Sequence, residues 1–347
     1  MRSLRVGLLF NSKSKVPHGP DSPVDVAAEY DTEETIAGLK RALEGAGHQV
    51  FPLEGDVTLL DSIRQVRPDI CFNICEGLRG ESRESQVPAL LEMLAIPYTA
   101  AGILANALSL DKAMAKMIWQ ACGLPTPPFM LLRRGDEPLA QELHFPLFLK
   151  PAREGSGMGI SERSVAHNEA ELREQAAWLI RTYKQPALVE PFLPGREFTV
   201  GLIGNERSLH PLPDSPLYDQ SGFHTFPVLE IDVSTVPEAQ GIYSSHVKGD
   251  RPLDPRYLCP APIPPELAAR MQALAVQAFL AINALDVGRV DFRLDELGNP
   301  YLLEINTLPG INPRYSDIVF AARGEDMAYE RLVNEILNLA AARCGLI

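Results

Sequence analysis

The feature that restricts the fold most is the order of segments in the first hundred residues, where short apolar runs alternate with amphipathic ones. We predict strands at 5–10, 48–52 and 68–74, one helix beginning near Asp31, and another over 59–66. Asp31 stands three residues before Glu34, a capping pattern in which Asp31 is the N-cap. Because strands that are joined through helices pair in parallel, these residues predict a small doubly wound α/β domain.

After residue 111 the pattern becomes that of mixed α+β structure. Helices are predicted over 112–121, 168–182, 265–285 and 329–342, and strands over 146–150, 187–190, 198–203 and 288–306. The alternation in the last two strand segments is typical of antiparallel sheets. The 347 residues thus divide into an N-terminal domain at 1–104, a central unit at 105–188 and a C-terminal unit at 189–347.

Charge and composition exclude several classes of protein. With 32 basic and 45 acidic residues, the net charge of −13 argues against a nucleic acid or an anionic membrane surface as a partner. No apolar stretch approaches the roughly 18 residues of a membrane-spanning helix, and the apolar N-terminal run ends too early for a signal peptide. The five cysteines form no C-x-x-C pair and indicate reduced thiols, so we expect a cytoplasmic protein.

A hairpin near the C-terminus carries the most specific chemical pattern. On its first strand Arg289, Asp291 and Arg293 share one face, and on its second strand Glu304 and Asn306 share a face. A short turn places Asp291 opposite Glu304. The alternate residues, assigned to the core, are Val290, Phe292, Leu294, Leu303 and Ile305. Two opposed carboxylates and an amide fit a hard divalent ion such as Mg²⁺; alternatively, the two arginines neutralise the acids on a solvated face.

Two loops are further candidates for ligand binding. Residues 150–159 read K-P-A-R-E-G-S-G-M-G, and backbone N–H groups of such a loop can surround phosphate oxygens beside the lysine. The alternative is a mobile surface hairpin. Residues 76–86 follow the third strand, at the sheet edge where parallel sheets bind ligands, and hold three acids and two arginines. These charges fit an exposed, salt-bridged loop equally well.

These segments, in this order, resemble the ATP-grasp superfamily, and most closely the D-alanine–D-alanine ligase family. The most specific part is R-V-D-F at 289–292 followed by L-L-E-I-N-T-L-P-G at 302–310. The other matching segments are 73–86, 96–99, 107–112, 150–159, 189–193 and 196–200. The resemblance implies a pre-ATP-grasp N-terminal domain followed by the two α+β subdomains of an ATP-grasp fold.

The resemblance also implies that ATP and Mg²⁺ or Mn²⁺ lie between the two subdomains. It assigns Lys112, Lys150 and the loop around Ser156 to the phosphates, Glu190 to Leu193 to the adenine, and Glu197 to the ribose. It assigns the metal to Asp291, Glu304 and Asn306, and stabilisation of the transition state to Arg289. Closure of the loop around Ser156 would exclude water from the reacting groups.

The substrate side departs from the family's pattern. Residues 13–31 lack the usual G-E-R-E-V-S string, and candidates for its glutamate are Glu29, Glu33 and Glu34. The lysine–tyrosine pair of the substrate-covering loop is reduced to Lys248, a catalytic candidate that is followed by Gly249. The G-E-D-G signature reads G-E-S-R at 80–83. The candidate substrate contacts are Glu76 and, in place of a Ser-Leu pair, Tyr315 and Ser316.

We therefore expect an ATP-dependent carboxylate–amine ligase that joins amino acids through an acyl phosphate and releases ADP and phosphate. One alternative is a true D-alanine–D-alanine ligase of cell-wall synthesis, and another is a nucleotide-binding protein without turnover. The expected partners are small amino-acid substrates. Members of the family often form homodimers through the N-terminal domain.

Overall fold

A computed structural model describes residues 2–16, 19, 22–236, 242 and 255–347 of the chain. The strands are β1 Arg5–Phe10, β2 Gln49–Glu54, β3 Ile70–Asn73, β4 Met130–Leu132, β5 Leu147–Pro151, β6 Val165–Ala166, β7 Ala187–Pro191, β8 Glu197–Gly204, β9 Phe223–Thr225, β10 Leu229–Asp232, β11 Arg256–Leu258, β12 Asp286–Leu294 and β13 Pro300–Asn306. The helices are α1 Glu33–Gly45, α2 Leu59–Val66, α3 Gln86–Met93, α4 Ile103–Leu110, α5 Lys112–Ala121, α6 Glu169–Tyr183, α7 Pro265–Ala281, α8 Asp317–Arg323 and α9 Tyr329–Arg343.

The N-terminal sheet is parallel, with strand order β2-β1-β3, as the alternation of strands and helices predicts. The predicted cap of α1 is wrong by one residue. Thr32 is the N-cap, because its extended backbone lets its Oγ1 accept a hydrogen bond from the N–H of Thr35. Asp31 instead forms a parallel bridge with Ser12, with its N–H bonded to the carbonyl of Asn11.

The two remaining sheets are antiparallel. One has the order β4-β7-β5-β6; the other has the order β11-β10-β8-β12-β13, with β9 paired to β8. The predicted boundary at residue 188 falls inside β7, which pairs with β5 over its length and with β4 over residues 187–189. The chain therefore changes sheets between Pro191 and Glu197. The division into the three units 1–104, 105–188 and 189–347 otherwise stays a prediction.

Two of the hydrophobic cores contain residues from more than one of the three predicted units. Helices α4 and α5 pack on the six-stranded sheet, where the fully buried Trp119 joins Phe198, Phe279 and Phe292. Helix α9 packs against α1, which places the C-terminal helix beside the N-terminal sheet. In the described part of the chain, no helix is long and apolar enough to cross a membrane.

The hairpin formed by β12 and β13 confirms the predicted pairing of Asp291 with Glu304. It also contains a β-bulge, because Asp291 pairs with Glu304 and the next residue, Phe292, pairs with Leu302. The extra residue is Leu303, and its predicted place in the core is wrong. Leu302 is buried there with Ile305, and the bulge turns Leu303 into the wall of a pocket.

Candidate active site

Two adjoining spaces lie among the three sheets. The large cavity, about 1420 Å³, is lined by the loop between β1 and α1, by residues 154–162 and by residues 304–317. The small pocket, about 90 Å³, lies between β5, β7, β8 and the β12–β13 hairpin. Both spaces are lined by Lys112, Ser156, Arg289 and Glu304, so these four side chains stand where the two spaces meet.

The small pocket has apolar walls and a charged floor. Its apolar walls include Phe148, Met158, Phe192, Leu193 and Leu303. Nζ of Lys150 lies 2.8 Å from Oε1 of Glu190, and Nζ of Lys116 lies 2.7 Å from Oε2 of the same carboxylate. Burial alone would raise the pKa of Glu190, but the two ammonium groups lower it, so the carboxylate is charged. Sequence reasoning missed Lys116, which is fully buried and lies on α5, because no local pattern distinguishes it.

Lys112 is positioned by the start of α5. The side chain of Asp111 caps this helix by accepting hydrogen bonds from the N–H groups of Ala113 and Met114, both 3.1 Å long. Lys112 therefore occupies the first turn, and its Nζ donates to the carbonyl oxygen of Glu154. The same Nζ lies 3.2 Å from Oε2 of Glu304.

The hairpin presents its polar face to this junction. Arg289 donates to both carboxylate oxygens of Asp291, at 2.9 and 2.8 Å, and its Nη1 lies 3.3 Å from Oδ2 of Asp317. Nδ2 of Asn306 lies 3.4 Å from Oδ2 of Asp291. Burial would raise the pKa of Glu304, but Lys112, Lys150 and Arg289 hold it at about 2. Sequence reasoning missed Asp317, because it meets Arg289 only through tertiary folding.

The donor set fits a magnesium ion in part. Asp291 and Glu304 face each other across the hairpin with the amide of Asn306 alongside, and hard divalent ions prefer such oxygens. Among the described residues, no group of three or more His, Cys, Asp or Glu side chains could hold a metal. An ion here would therefore take its remaining ligands from phosphate oxygens and water, as Mg²⁺ does at nucleotide sites. Arg289 also neutralises Asp291, as the alternative interpretation of the hairpin proposed, whereas Arg293 pairs with Glu197 at 3.1 Å.

The glycine loop, residues 152–159, is bound by acids from the loop between β1 and α1. The N–H of Gly155 donates to Oε1 of Glu29 at 2.6 Å, and the N–H of Gly159 donates to Oδ2 of Asp25 at 2.9 Å. Gly159 has a φ of +73°, and a Cβ there would lie 2.7 Å from Pro151, so glycine is required. Two N–H groups of the kind that bind phosphate thus have carboxylate partners in this state.

Of the three candidates for the missing glutamate, only Glu29 lines the large cavity. Oε2 of Glu29 lies 2.7 Å from Nη2 of Arg83, which also contacts Glu154 at 3.1 Å. Glu33 is exposed, and Glu34 pairs with Arg314 at the surface. Arg83 comes from the G-E-S-R segment, so the altered signature supplies the partner of Glu29.

The other predicted substrate contacts also line the large cavity. Tyr315 is 45% exposed, and Ser316 accepts a hydrogen bond from the N–H of Asn312 through its Oγ, at 2.7 Å. Glu76 lines the cavity as well, and burial together with neighbouring acids raises the pKa of its carboxyl well above the usual value. The catalytic candidate Lys248 lies outside the described residues.

The free energy of unfolding of the ligand-free chain is expected to fall as pH rises from about 5 to about 8. Burial raises the pKa of Glu84 to about 8, although Arg83 and Lys112 act to lower it. The folded state therefore holds this proton more tightly than the unfolded chain, whose carboxyl pKa is 4.5, and folding loses stability as pH rises between the two values. Urea unfolding at several pH values measures the slope, and Glu84→Gln is expected to reduce it. A slope of opposite sign would contradict the raised pKa.

Comparisons with known proteins agree with this arrangement. The family model described as the D-ala D-ala ligase C-terminus matches residues 118–338. The chain is 32% identical to a D-alanine–D-alanine ligase of Pelotomaculum thermopropionicum, with 99% of each chain covered. It is 37% identical to one of Ralstonia pickettii, covering 88% of this chain and 84% of that one. It is 34% identical to an uncharacterized protein, y4sG, of Sinorhizobium fredii, covering 87% of this chain and 86% of that one.

The fold is similar to a solved structure over its whole length. The crystal structure of a D-alanine–D-alanine ligase from Bacillus anthracis, complexed with ATP, has a TM-score of 0.71, 19% sequence identity and 99% coverage of both chains. That likeness supports the predicted parallel N-terminal domain followed by an ATP-grasp fold. The chain therefore belongs to the D-alanine–D-alanine ligase family and is an ATP-dependent enzyme of the ATP-grasp superfamily that forms an amide bond.

Proposed function

We propose that this enzyme transfers the γ-phosphoryl group of ATP to the carboxylate of one amino acid and joins the resulting acyl phosphate to the amine of a second. The observation that carries the proposal is the meeting of Lys112, Arg289 and Glu304 where the small pocket opens into the large cavity. A nucleotide in the small pocket would present its terminal phosphate there, beside a carboxylate held in the large cavity.

The chemistry requires positive charge at that junction. A carboxylate is a poor acyl donor because oxide is a very poor leaving group, and phosphorylation converts that oxygen into a good one. Negative charge builds up first on the phosphoryl oxygens and then on the tetrahedral oxyanion formed by attack of the amine. Lys112 and Arg289 are oriented by Glu304 and by Asp291 with Asp317, so they can stabilise this charge without rearranging.

We assign the adenosine part of ATP to the small pocket, which at about 90 Å³ has to widen to admit it, and the phosphates to its junction with the large cavity. Glu190 to Leu193 would contact the adenine, Glu197 the ribose, and Lys150 and Ser156 the phosphates; the apolar walls of the pocket support this assignment. Asp291, Glu304 and Asn306 would hold Mg²⁺ or Mn²⁺, which would supply further neutralisation of phosphate charge. The N–H groups of Gly155 and Gly159 can bind phosphate only after Glu29 and Asp25 release them.

The proposal is tested with purified protein, ATP, Mg²⁺ and a panel of D- and L-amino acids. We expect phosphate release that depends on a pair of amino acids, and a product whose mass equals that of the pair minus one water. Absence of phosphate release above background with every pair would contradict the proposal and favour nucleotide binding without turnover.

D-alanine alone tests the second candidate, a true D-alanine–D-alanine ligase. The D-alanine–D-alanine ligases to which this chain is 32% and 37% identical favour it. Other amino acids are favoured by two departures from the family's usual pattern, the pair of Glu29 with Arg83 and the Tyr315-Ser316 segment.

We further propose a cytoplasmic location, supported by five cysteines without a C-x-x-C pair, and a homodimer, supported by the family resemblance.

A further inference from the structure

The large cavity has a marked excess of acidic side chains. Nine acidic and three basic side chains line it within the described part of the chain. Several of the acids have basic partners: Glu304 pairs with Lys112, Asp317 with Arg289, and Glu29 and Glu154 with Arg83. These pairs account for the charges around the reacting groups and the glycine loop. Three of the other acids, Asp31, Glu76 and Glu84, form no ion pair within the described part of the chain.

Glu84 is the most buried of these three acids. It is only 8% exposed, it lines the large cavity, and its carboxylate forms no hydrogen bond or close ion pair with any residue that the structure describes. Glu76 lines the same part of the cavity and is likewise without such a partner in the described ranges. Oδ2 of Asp31, also in the lining, is buried without a hydrogen-bond partner among described residues. Burying carboxylates in this way costs free energy unless they are protonated or a ligand supplies the partner.

A metal ion does not explain these carboxylates. No group of three or more His, Cys, Asp or Glu side chains is arranged to hold a metal within the ranges described. Two carboxylates near enough for Glu84 to raise the pKa of Glu76 match a ligand that brings one positive charge to them, such as an ammonium group on a flexible arm. Burial and neighbouring acids raise the pKa of Glu76 and of Glu84, and a bound cation would offset the repulsion from those acids.

We propose that one of the two amino acids joined by this enzyme carries a second, side-chain ammonium group, as diamino acids do, and that Glu84 and Glu76 bind that group. The inference rests on the proposed ligase function and names its substrate class. The α-ammonium of an ordinary amino acid needs one acidic partner, whereas the cavity offers three acids, Asp31, Glu76 and Glu84, that form no ion pair with the described residues. Arg83 acts on Glu76 and Glu84, and Lys112 on Glu84, only from beyond ion-pair distance. The second ammonium group of such a substrate would bind the additional carboxylates. A substrate with a neutral side chain would leave these carboxylates buried without a hydrogen-bond partner.

The test compares ornithine with norvaline, which has the same carbon chain without the terminal ammonium. Both enantiomers of each are assayed with ATP and Mg²⁺, alone and with a panel of second amino acids. We expect kcat/KM to be at least about tenfold higher for ornithine, the effect of one charge-assisted hydrogen bond. The shorter pair, 2,4-diaminobutyrate and 2-aminobutyrate, shows whether the length of the arm matters.

The variants Glu84→Gln and Glu76→Gln assign the preference to residues. Each is expected to lower the ratio of kcat/KM between ornithine and norvaline by about tenfold. The matched control is Glu162→Gln, which neutralises an exposed acid at the rim of the same cavity and should leave the ratio unchanged. Because the ratio compares two substrates in one protein, a general loss of activity in a variant does not alter it.

The outcomes separate this inference from the proposed function. Amide formation from neutral amino acids with a ratio near one would overturn the inference and leave the ligase proposal intact. A ratio that neither variant lowers would overturn the assignment to Glu84 and Glu76. Absence of amide formation with every substrate would overturn the ligase proposal and the inference with it. If Glu84→Gln fails to fold, the wild-type ratio and Glu76→Gln still decide.

Discussion

Replacement of Lys150 by alanine is expected to lower kcat/KM for amide formation by about a hundred- to a thousandfold. Lys150 lies at the end of β5 in the wall of the small pocket, fixed by Glu190 at 2.8 Å, where the proposed phosphates lie. Glu304→Ala should have an effect of similar size, because Glu304 orients Lys112 and is a proposed metal ligand. Initial rates of phosphate release under saturating ATP and Mg²⁺ measure both effects.

A control variant separates loss of chemistry from loss of charge or of folding. Lys40→Ala removes a lysine whose side chain is 42% exposed on α1 and lines neither space, and it should change kcat/KM less than about twofold. In Lys150→Ala the Glu190 carboxylate keeps Lys116 at 2.7 Å, so the fold should persist, and circular dichroism can verify it. A folded Lys150→Ala protein with near wild-type turnover would show that the phosphates bind elsewhere.

The parts of this site that sequence analysis predicted are those fixed by local structure. The alternation of a strand placed Asp291 and Glu304 opposite each other, because a tight turn held by Asp295 and Asn299 sets the register of the hairpin. The predicted helix over 112–121 was confirmed to the residue, because Asp111 caps it. Lys112 consequently lies in the first turn of α5. The resemblance assigns this same lysine to the phosphates of ATP.

The parts that sequence analysis missed depend on contacts between distant residues. A β-bulge moved Leu303 from the core to the pocket wall, and strand periodicity cannot show where such an extra residue falls. Lys116 meets Glu190 from another element, and Asp317 meets Arg289 from the start of α8. The residues next to Lys116 and Asp317 in the sequence do not indicate these contacts, which form only when the sheets pack together.

The same limit applies to the domain boundaries. Helices α4 and α5 follow the N-terminal domain in the chain, yet their apolar faces pack on the six-stranded sheet of the C-terminal unit. An amphipathic pattern predicts that a helix buries one face, and it does not identify the sheet that receives that face. The predicted boundary at 188 lies within the strand predicted over 187–190, which the structure extends to Pro191 as β7.

Replacement of Asp286 by asparagine is expected to lower the free energy of unfolding by about 3–5 kcal/mol. Asp286 is fully buried at the start of β12, and its two oxygens are shared by three parts of the chain. Oδ1 accepts hydrogen bonds from Nδ2 of Asn205 at 2.8 Å and from Nε of Arg343 at 3.2 Å. Oδ2 accepts from the N–H of Ala100 at 2.9 Å and from Nη2 of Arg343 at 2.8 Å.

Asparagine tests this network closely because it changes charge and hydrogen bonding with little change of shape. Asp286 has a φ of +64°, a conformation that asparagine tolerates well, so backbone strain should not contribute. The amide offers one acceptor oxygen, and its NH₂ group must face donors that belong to Arg343 or its neighbours. The guanidinium of Arg343 then remains buried without its counter-charge, and this accounts for most of the expected loss.

An exposed ion pair provides the control for this prediction. Asp61→Asn removes a carboxylate whose side chain is 79% exposed beside Arg64, and it should change stability by less than about 0.5 kcal/mol. Urea unfolding of both variants measures the difference. Since Asp286 lines neither space, its variant should retain kcat/KM at temperatures where it is folded. If Asp286→Asn loses no more stability than Asp61→Asn, the hydrogen bonds of Asp286 contribute little. Apolar packing alone would then hold Ala100, the end of β8 and α9 together.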